Sequence, residues 1–366
     1  MHTPAAASSS QPNNFDFVRL VAALCVVVSH QFALTGRPEP TVLNVHSLGG
    51  LGVLIFFSVS GYLVAQSWNA DPHVPRFAAR RLLRIWPGLA VLVLLTAFVW
   101  GPSLTFIPLK EYFRHVWVRD YLNNLRFVMR DILPVRFDGN ALPFAVNGPL
   151  WTIPLELKCY VMLAVLGAAG LLRSKWWMIA LTAVLLVRYA VVEPRGDLLI
   201  HNLAWTLEQR YLLEFGLFFA AGVILQSLRV GGRWSMVLVG GGWALGAAAL
   251  LMQRPLLALW FMIPVTVIAF GVASTPFVRR TGRFGDFSYG LYIYTFPVQQ
   301  TLIWLYGKQL PWGAVFALVL ATALVCAAAS WHLVESRALK LKPKRAKDKQ
   351  PRGRDGVPAV GAKALS

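Results

Sequence analysis

The chain is a succession of apolar runs of nearly constant length, and this pattern limits what it can fold into more than any other feature. A helix needs about 20 apolar residues to cross the hydrocarbon of a bilayer. Ten stretches approach or reach that length: 17–36, 48–66, 82–100, 150–172, 176–192, 211–228, 235–252, 257–274, 288–306 and 313–333. Their apolar residues run together instead of alternating, which selects helices over a membrane β-barrel. Composition leads to the same place. Hydrophobic residues make up 57% of the 366 residues and charged residues 14%, against about a quarter charged in an ordinary globular domain. Such a chain lacks the polar residues that a water-soluble surface needs. Disorder, a disulfide scaffold and a nucleic-acid-binding domain are excluded for the chain as a whole. The expected fold is an all-α polytopic membrane protein with about ten transmembrane helices.

The formal charge of +19 would ordinarily suggest a polyanionic partner. Its distribution suggests membrane insertion instead. Ten Lys and Arg stand against two Asp after Ser336, and most other basic residues fall in short gaps between apolar runs. With a cytoplasmic amino terminus, the inner side receives Arg76, Arg80 and Arg81, then Arg173 and Lys175, then Arg229 and Arg233, then Arg279, Arg280 and Arg283, and last the basic tail. The outer gaps receive single charges such as Arg37, Arg254 and Lys308. This is the positive-inside bias, and an even number of spans puts both termini in the cytoplasm. The expected location is the cytoplasmic (inner) membrane, with lipid and not nucleic acid as the surrounding partner. Three regions are expected: a disordered N-terminus (1–13), a membrane domain (14–336) and a basic, disordered tail (337–366) suited to anionic lipid. The first run is not expected to be a signal peptide, because its leader has no basic cluster and the run itself carries Arg19 and His30. Cys25, Cys159 and Cys326 lie inside apolar runs without metal-ligand spacing, so neither a metal nor a disulfide is expected.

Residues 101–149 form a long outer segment in which Phe113, Trp117, Tyr121, Leu125, Val128 and Ile132 recur every three or four positions. That period predicts that part of the segment forms an amphipathic helix, lying on the membrane or closing over a site.

Polar groups inside a span cost free energy, so each is a functional candidate. The first run holds Arg19 and His30. Eleven helical residues turn through about 1100°, leaving the two within roughly 20° of one face and about 16 Å apart along the axis. Taken singly, Arg19 suits snorkelling to the interface and His30 an interhelical hydrogen bond. Sharing one face strengthens the case for both. Glu156 lies in the fourth run at a depth comparable with His30. A carboxylate there would fix the tautomer of a general base, or would pair with Arg188 or Arg210 as structural glue. The cluster Arg80-Arg81-Leu82-Leu83-Arg84 marks the inner mouth of the third run. Stacked guanidiniums of this kind can hold phosphates bidentately. Phosphate-holding cations at one surface and a histidine most of a membrane away suit a donor with a phosphorylated head and a long thin arm, the shape of coenzyme A. The chain has no Walker loop, no GxSxG elbow and no HExxH. Ser60-Gly61 can be taken for a nucleophile site, but Ser and Gly more often let helices approach closely.

Five segments, in order, resemble the motifs of the membrane acyltransferase 3 family. They are Asp16-Phe17-Val18-Arg19 followed ten residues later by His30; Gly52 to Leu63; Arg80 to Pro87; Asn147 to Glu156 with Tyr160; and Phe287 to Tyr294 with Pro297. Glu335 stands where a terminal acidic residue is common. The resemblance spans about residues 14–336. It implies transfer of an acyl group, usually acetyl, from acyl-CoA to a hydroxyl of a surface polysaccharide, lipopolysaccharide or lipid-linked oligosaccharide. It makes His30 catalytic with Glu156, assigns Arg19, Arg81 and Arg84 to the donor, and places Trp151, Tyr160 and Ser60 among the substrate-binding residues. No permanently bound cofactor is expected, and glycan-assembly proteins are candidate partners. Two positions depart from the pattern: Thr295 stands where a histidine is frequent, and Leu54 where an acid is.

Two other readings stay open at this point. One is a proton-coupled transporter of a glycan or small acid using His30 and Glu156 as a relay. The other is an acyltransferase whose acceptor is a peptide or antibiotic.

Overall fold

The computed structural model describes residues 13–192 and 207–343. The expected disordered N-terminus, apart from Asn13, and the tail beyond Pro343 lie outside the described residues. Ten long helices occupy the ten apolar runs: α1 (Phe15–Leu34), α2 (Leu48–Ala70), α3 (Val74–Leu95), α4 (Thr152–Ala168), α5 (Lys175–Val192), α6 (Leu207–Ser227), α7 (Arg233–Leu251), α8 (Pro255–Val272), α9 (Ser288–Tyr306) and α10 (Trp312–Ser330). Among the described residues, seven helices are long and apolar enough to cross a membrane. α5, α6 and α9 are not among them; α6 and α9 carry Glu214, Thr295, Gln299 and Gln300 facing the interior. The protein is a helical, multi-pass membrane protein.

α3 and α10 each run on through a π-helical turn, Thr96–Trp100 and Trp331–Glu335. Such turns push side chains out of the regular helical register, and the second one carries Glu335 into the interior. A two-stranded hairpin, β1 (Thr41–Val42) and β2 (His46–Ser47), leads into α2, with Val42 opposite His46. Ser47 then caps α2: its hydroxyl accepts the Gly50 amide at 3.1 Å, satisfying one of the helix's free N-terminal donors.

α2 is the hub. It packs against α1, α4, α6 and α8. Its crossing with α6 brings backbone onto backbone. A Cβ at Gly61 would land on the Phe219 carbonyl, 2.8 Å from the carbonyl carbon, and one at Gly222 would lie 2.8 Å from the Tyr62 nitrogen. Glycine is required where helices approach this closely. The reading of Ser60-Gly61 as a helix-contact pair therefore holds for Gly61.

Pro297 has no amide to offer the Ile293 carbonyl one turn earlier. Asn147 supplies the missing donor, its Nδ2 lying 2.8 Å from that oxygen. This bond pins the start of the short 3₁₀ turn Gly148–Trp151, and so the top of α4, to α9.

Residues 105–147 are helical in part, as expected, but hold no long amphipathic helix. They break into short helices, Leu109–Tyr112 and Val116–Tyr121, a 3₁₀ turn Leu122–Arg126, and extended chain with isolated bridges. Tyr112 and Tyr121 are fully buried, and the Tyr112 hydroxyl donates to the Ala97 carbonyl at 2.9 Å. The segment folds back along α3 as far as Trp86, whose indole donates to the Leu125 carbonyl at 3.1 Å. Asn140 binds both the backbone and the side chain of Gln300. Of the six periodic apolar positions only Tyr121 is buried, while Phe113, Val128 and Ile132 are exposed, and none of the six lines either of the cavities described next.

Candidate active site

One cavity, of about 290 Å³, opens at the end of the bundle where the basic gaps lie. α1 contributes Arg19, α2 Ser60, α3 Arg81 and Arg84, α4 Glu156 and Tyr160, α9 Tyr289, and the chain after α10 Lys342. The cations here are not equivalent. Arg84 is paired with Asp286 and lies 3.4 Å from Glu335; Arg19 is paired with Asp16 and lies 3.3 Å from Asp286. Burial alone would raise the Asp286 carboxyl, but the Arg19 and Arg84 guanidiniums and two bonds from Ser288 hold it well below the usual carboxylate range. Arg80 points elsewhere and joins Arg76 on Asp71, at 2.8 and 2.6 Å. Arg81 differs from all of these. Its guanidinium donates to Ser67 at 3.3 Å and lies over the Phe77 and Tyr160 rings. Its buried Nε has no partner, and no carboxylate among the described residues lies within ion-pair distance. Lys342 likewise has no acid beside it among the described residues. Burial at the mouth and the four arginines nearby bring its ammonium down to about 8. A site in which two cations stand without an acid at ion-pair distance is prepared for an anion.

Glu156 closes a compact triangle deeper in this cavity. Ser60 donates to its Oε1 at 2.7 Å, Tyr160 donates to the same oxygen, and the two hydroxyls lie 3.1 Å apart.

The second cavity, of about 360 Å³, lies toward the opposite end of the same helices. His30 faces it from α1 with its ring edge-on to Phe296 at 5.3 Å. The hairpin and the chain before it bring Glu39 and His46, and α6 brings Glu214. Glu39 accepts a bond from Ser29, next to His30. Trp151 and Tyr211, with ring centres 4.8 Å apart, form an aromatic wall.

Val53, Thr152 and Tyr292 line both cavities. The Thr152 and Tyr292 hydroxyls are 2.6 Å apart, and Tyr292 also donates to the Pro149 carbonyl at 2.8 Å. A partition of three side chains therefore separates the cation-rich space from the histidine.

Arg19 and His30 do share a face of α1, one in each cavity. Arg81, Arg84, Glu156, Ser60 and Tyr160 come together in the cation-rich cavity, and Trp151 joins His30 in the other. The direct His30–Glu156 bond expected from their depths is absent. Glu156 lies one turn beyond Thr152 on α4, so its carboxylate falls on the far side of the partition, where Ser60 and Tyr160 take it. The carboxylates that share a cavity with His30 are Glu39 and Glu214. Glu39 and His46 fall in a gap that the sequence presents only as a loop. Glu214 had a readable signal, an acid inside the sixth apolar run. Asp286 and Lys342 had none beyond flanking a span.

A bundle with a cation-lined pocket at one end, a buried histidine toward the other and a thin partition between them suits a membrane enzyme of group transfer. The acyltransferase domain family matches residues 13–331, and the chain belongs to that family, which favours acyl transfer over the transporter reading. It is 33% identical to an O-acetyl transferase of Shigella phage Sf6, over 89% of this chain and 96% of that one. It is 26% identical to Nodulation protein 10 of Rhizobium leguminosarum bv. viciae, covering 92% and 95% of the two chains. It is also 25% identical to the acyltransferase MdmB of Streptomyces mycarofaciens, covering 90% and 91%. No solved structure matches.

Proposed function

We propose that the protein is an O-acyltransferase of the cytoplasmic membrane that moves an acetyl group from acyl-CoA to a hydroxyl of an exported or cell-surface carbohydrate. The observation that carries this reading is the pair of cavities back to back, with cations in one and His30 in the other. The O-acetyl designation of the phage relative supports both the hydroxyl acceptor and the acetyl group. In this reading all ten long helices span the bilayer, the basic end faces the cytoplasm and both termini lie there, as the positive-inside bias requires.

The donor's phosphates sit at Arg81 and Lys342, the cations without an acid, while Asp286 and Glu335 hold Arg84 and Arg19 in place beside them. The thin arm of the donor runs past the Ser60–Tyr160–Glu156 triangle to the partition of Thr152 and Tyr292. Glu156 thus shapes the donor channel and does not orient the histidine. The acceptor enters the other cavity. His30 takes the proton of the attacking hydroxyl as its oxygen bonds to the thioester carbon. The C–S bond then breaks and the thiolate recovers a proton. Acylation of His30 itself before transfer uses the same geometry. The test follows labelled acetyl from acetyl-CoA into membrane glycan, comparing wild type with His30→Ala at equal protein level. Loss of incorporation is expected, and equal incorporation removes His30 from the chemistry.

A further inference from the structure

The histidine cavity holds ionisable groups that the mechanism above leaves idle, Glu214 among them. Glu214, on α6, is 3% exposed. Its Oε2 accepts the Tyr189 hydroxyl at 3.0 Å, and its Oε1 lies 2.6 Å from His46 Nε2. That second contact is close but not aligned, and neither atom completes a hydrogen bond through it. A buried carboxylate oxygen with an unfilled place is costly unless something fills it. The imidazole cannot easily move to improve the match. It is packed on bare helix backbone, where a Cβ at Gly50 would stand 2.9 Å from its Nδ1. Tyr189 fixes the carboxylate on the other side. Glu214 thus lines, in a fixed position, a cavity that also contains His30, with the Trp151 and Tyr211 rings as a wall beside it.

We infer that Glu214, held between Tyr189 and His46, is the acceptor-recognition residue: it receives a hydroxyl of the acceptor other than the one being acylated. The acceptor ring lies against Trp151 and Tyr211, which supply apolar area while Glu214 supplies direction. With two hydroxyls engaged, one at Glu214 and one at His30, the ring has a fixed orientation, and this selects polyhydroxylated rings over simple alcohols. A site built to bind a hydroxyl rejects analogues without it, because the buried carboxylate is then left unmatched. This inference rests on the acyltransferase reading.

The test uses the full chain in native membranes or detergent, with labelled acetyl-CoA and, as acceptor, glycan extracted from the native membranes and titrated as a concentration series. Glu214→Gln is expected to raise the half-saturating glycan concentration at least tenfold and to leave the KM for acetyl-CoA within twofold. Tyr189→Phe, which keeps the carboxylate but loosens it, shifts the same constant about threefold and decides the matter alone if Glu214→Gln does not fold. An unchanged glycan constant, or one that moves together with the acetyl-CoA KM, overturns the assignment. Absence of transfer to glycan by the wild type would overturn the acyltransferase reading itself, and this inference with it.

Discussion

Replacing Gly61 by alanine tests the packing that positions both cavities. The added Cβ would meet the Phe219 carbonyl 2.8 Å from its carbon, whereas unstrained carbon pairs sit about 3.5–4.0 Å apart. Both sides of this contact are backbone, so no rotamer relieves it, and α2 and α6 must separate by about 1 Å. Overpacking of this kind costs about 1–3 kcal/mol, and the absence of a yielding side chain places it at the upper end. The same shift reaches the site. β2 leads directly into α2 and Glu214 rides on α6, so the 2.6 Å contact between His46 and Glu214 would lengthen and its electrostatic attraction weaken. Gly216→Ala on α6 is the matched control, because a Cβ there meets nothing within 4 Å. Thermal unfolding of the purified full chain in detergent, together with acetyl transfer, gives the readout. Gly61→Ala should unfold several degrees below wild type and transfer poorly, while Gly216→Ala tracks wild type on both counts. A Gly61→Ala protein that melts within one degree of wild type, or a Gly216→Ala protein that suffers equally, would refute the close-crossing argument.

Three further outcomes follow from the cation-rich end. Arg81→Gln should raise the KM for acetyl-CoA about tenfold without lowering thermal stability, whereas Arg84→Gln leaves the buried Glu335 without a cation and should cost about 3 kcal/mol of stability; equal effects of the two on stability would contradict the division of roles. Lys342 is charged below about 8 and neutral above it, so kcat/KM for the anionic donor should fall as pH rises through 8, and Lys342→Arg should flatten that limb of the profile. The Arg76 hydrogen bond first, and then that of Arg80, hold the Asp71 carboxyl well below the usual carboxylate range. Its contribution to stability is therefore fully present above pH 4 and lost only in stronger acid. The melting-temperature gap between wild type and Asp71→Ala should be constant from pH 8 to 5; a gap that closes by pH 5 would contradict this.

The primary sequence was enough to place ten helices, because an apolar run must bury its backbone polar groups internally wherever it lies in lipid. It was also enough to set Arg19 and His30 on one face of α1, since helical rotation is a local property. Proline at 297 announced a free carbonyl in α9, but which group would satisfy it could not be read, and the answer, Asn147, lies 146 positions away. The partner of an intramembrane acid is decided in the same non-local way. Glu156 and His30 match in depth, yet depth leaves rotation about each helix axis and the neighbouring side chains undetermined. The crossing of α2 with α6 and the pinning of α4 to α9 settle those, giving Glu156 to Ser60 and Tyr160 and bringing Glu214 to His46. One-dimensional periodicity fixes which residues a helix turns inward; only the packing of several helices together fixes what each of them meets there.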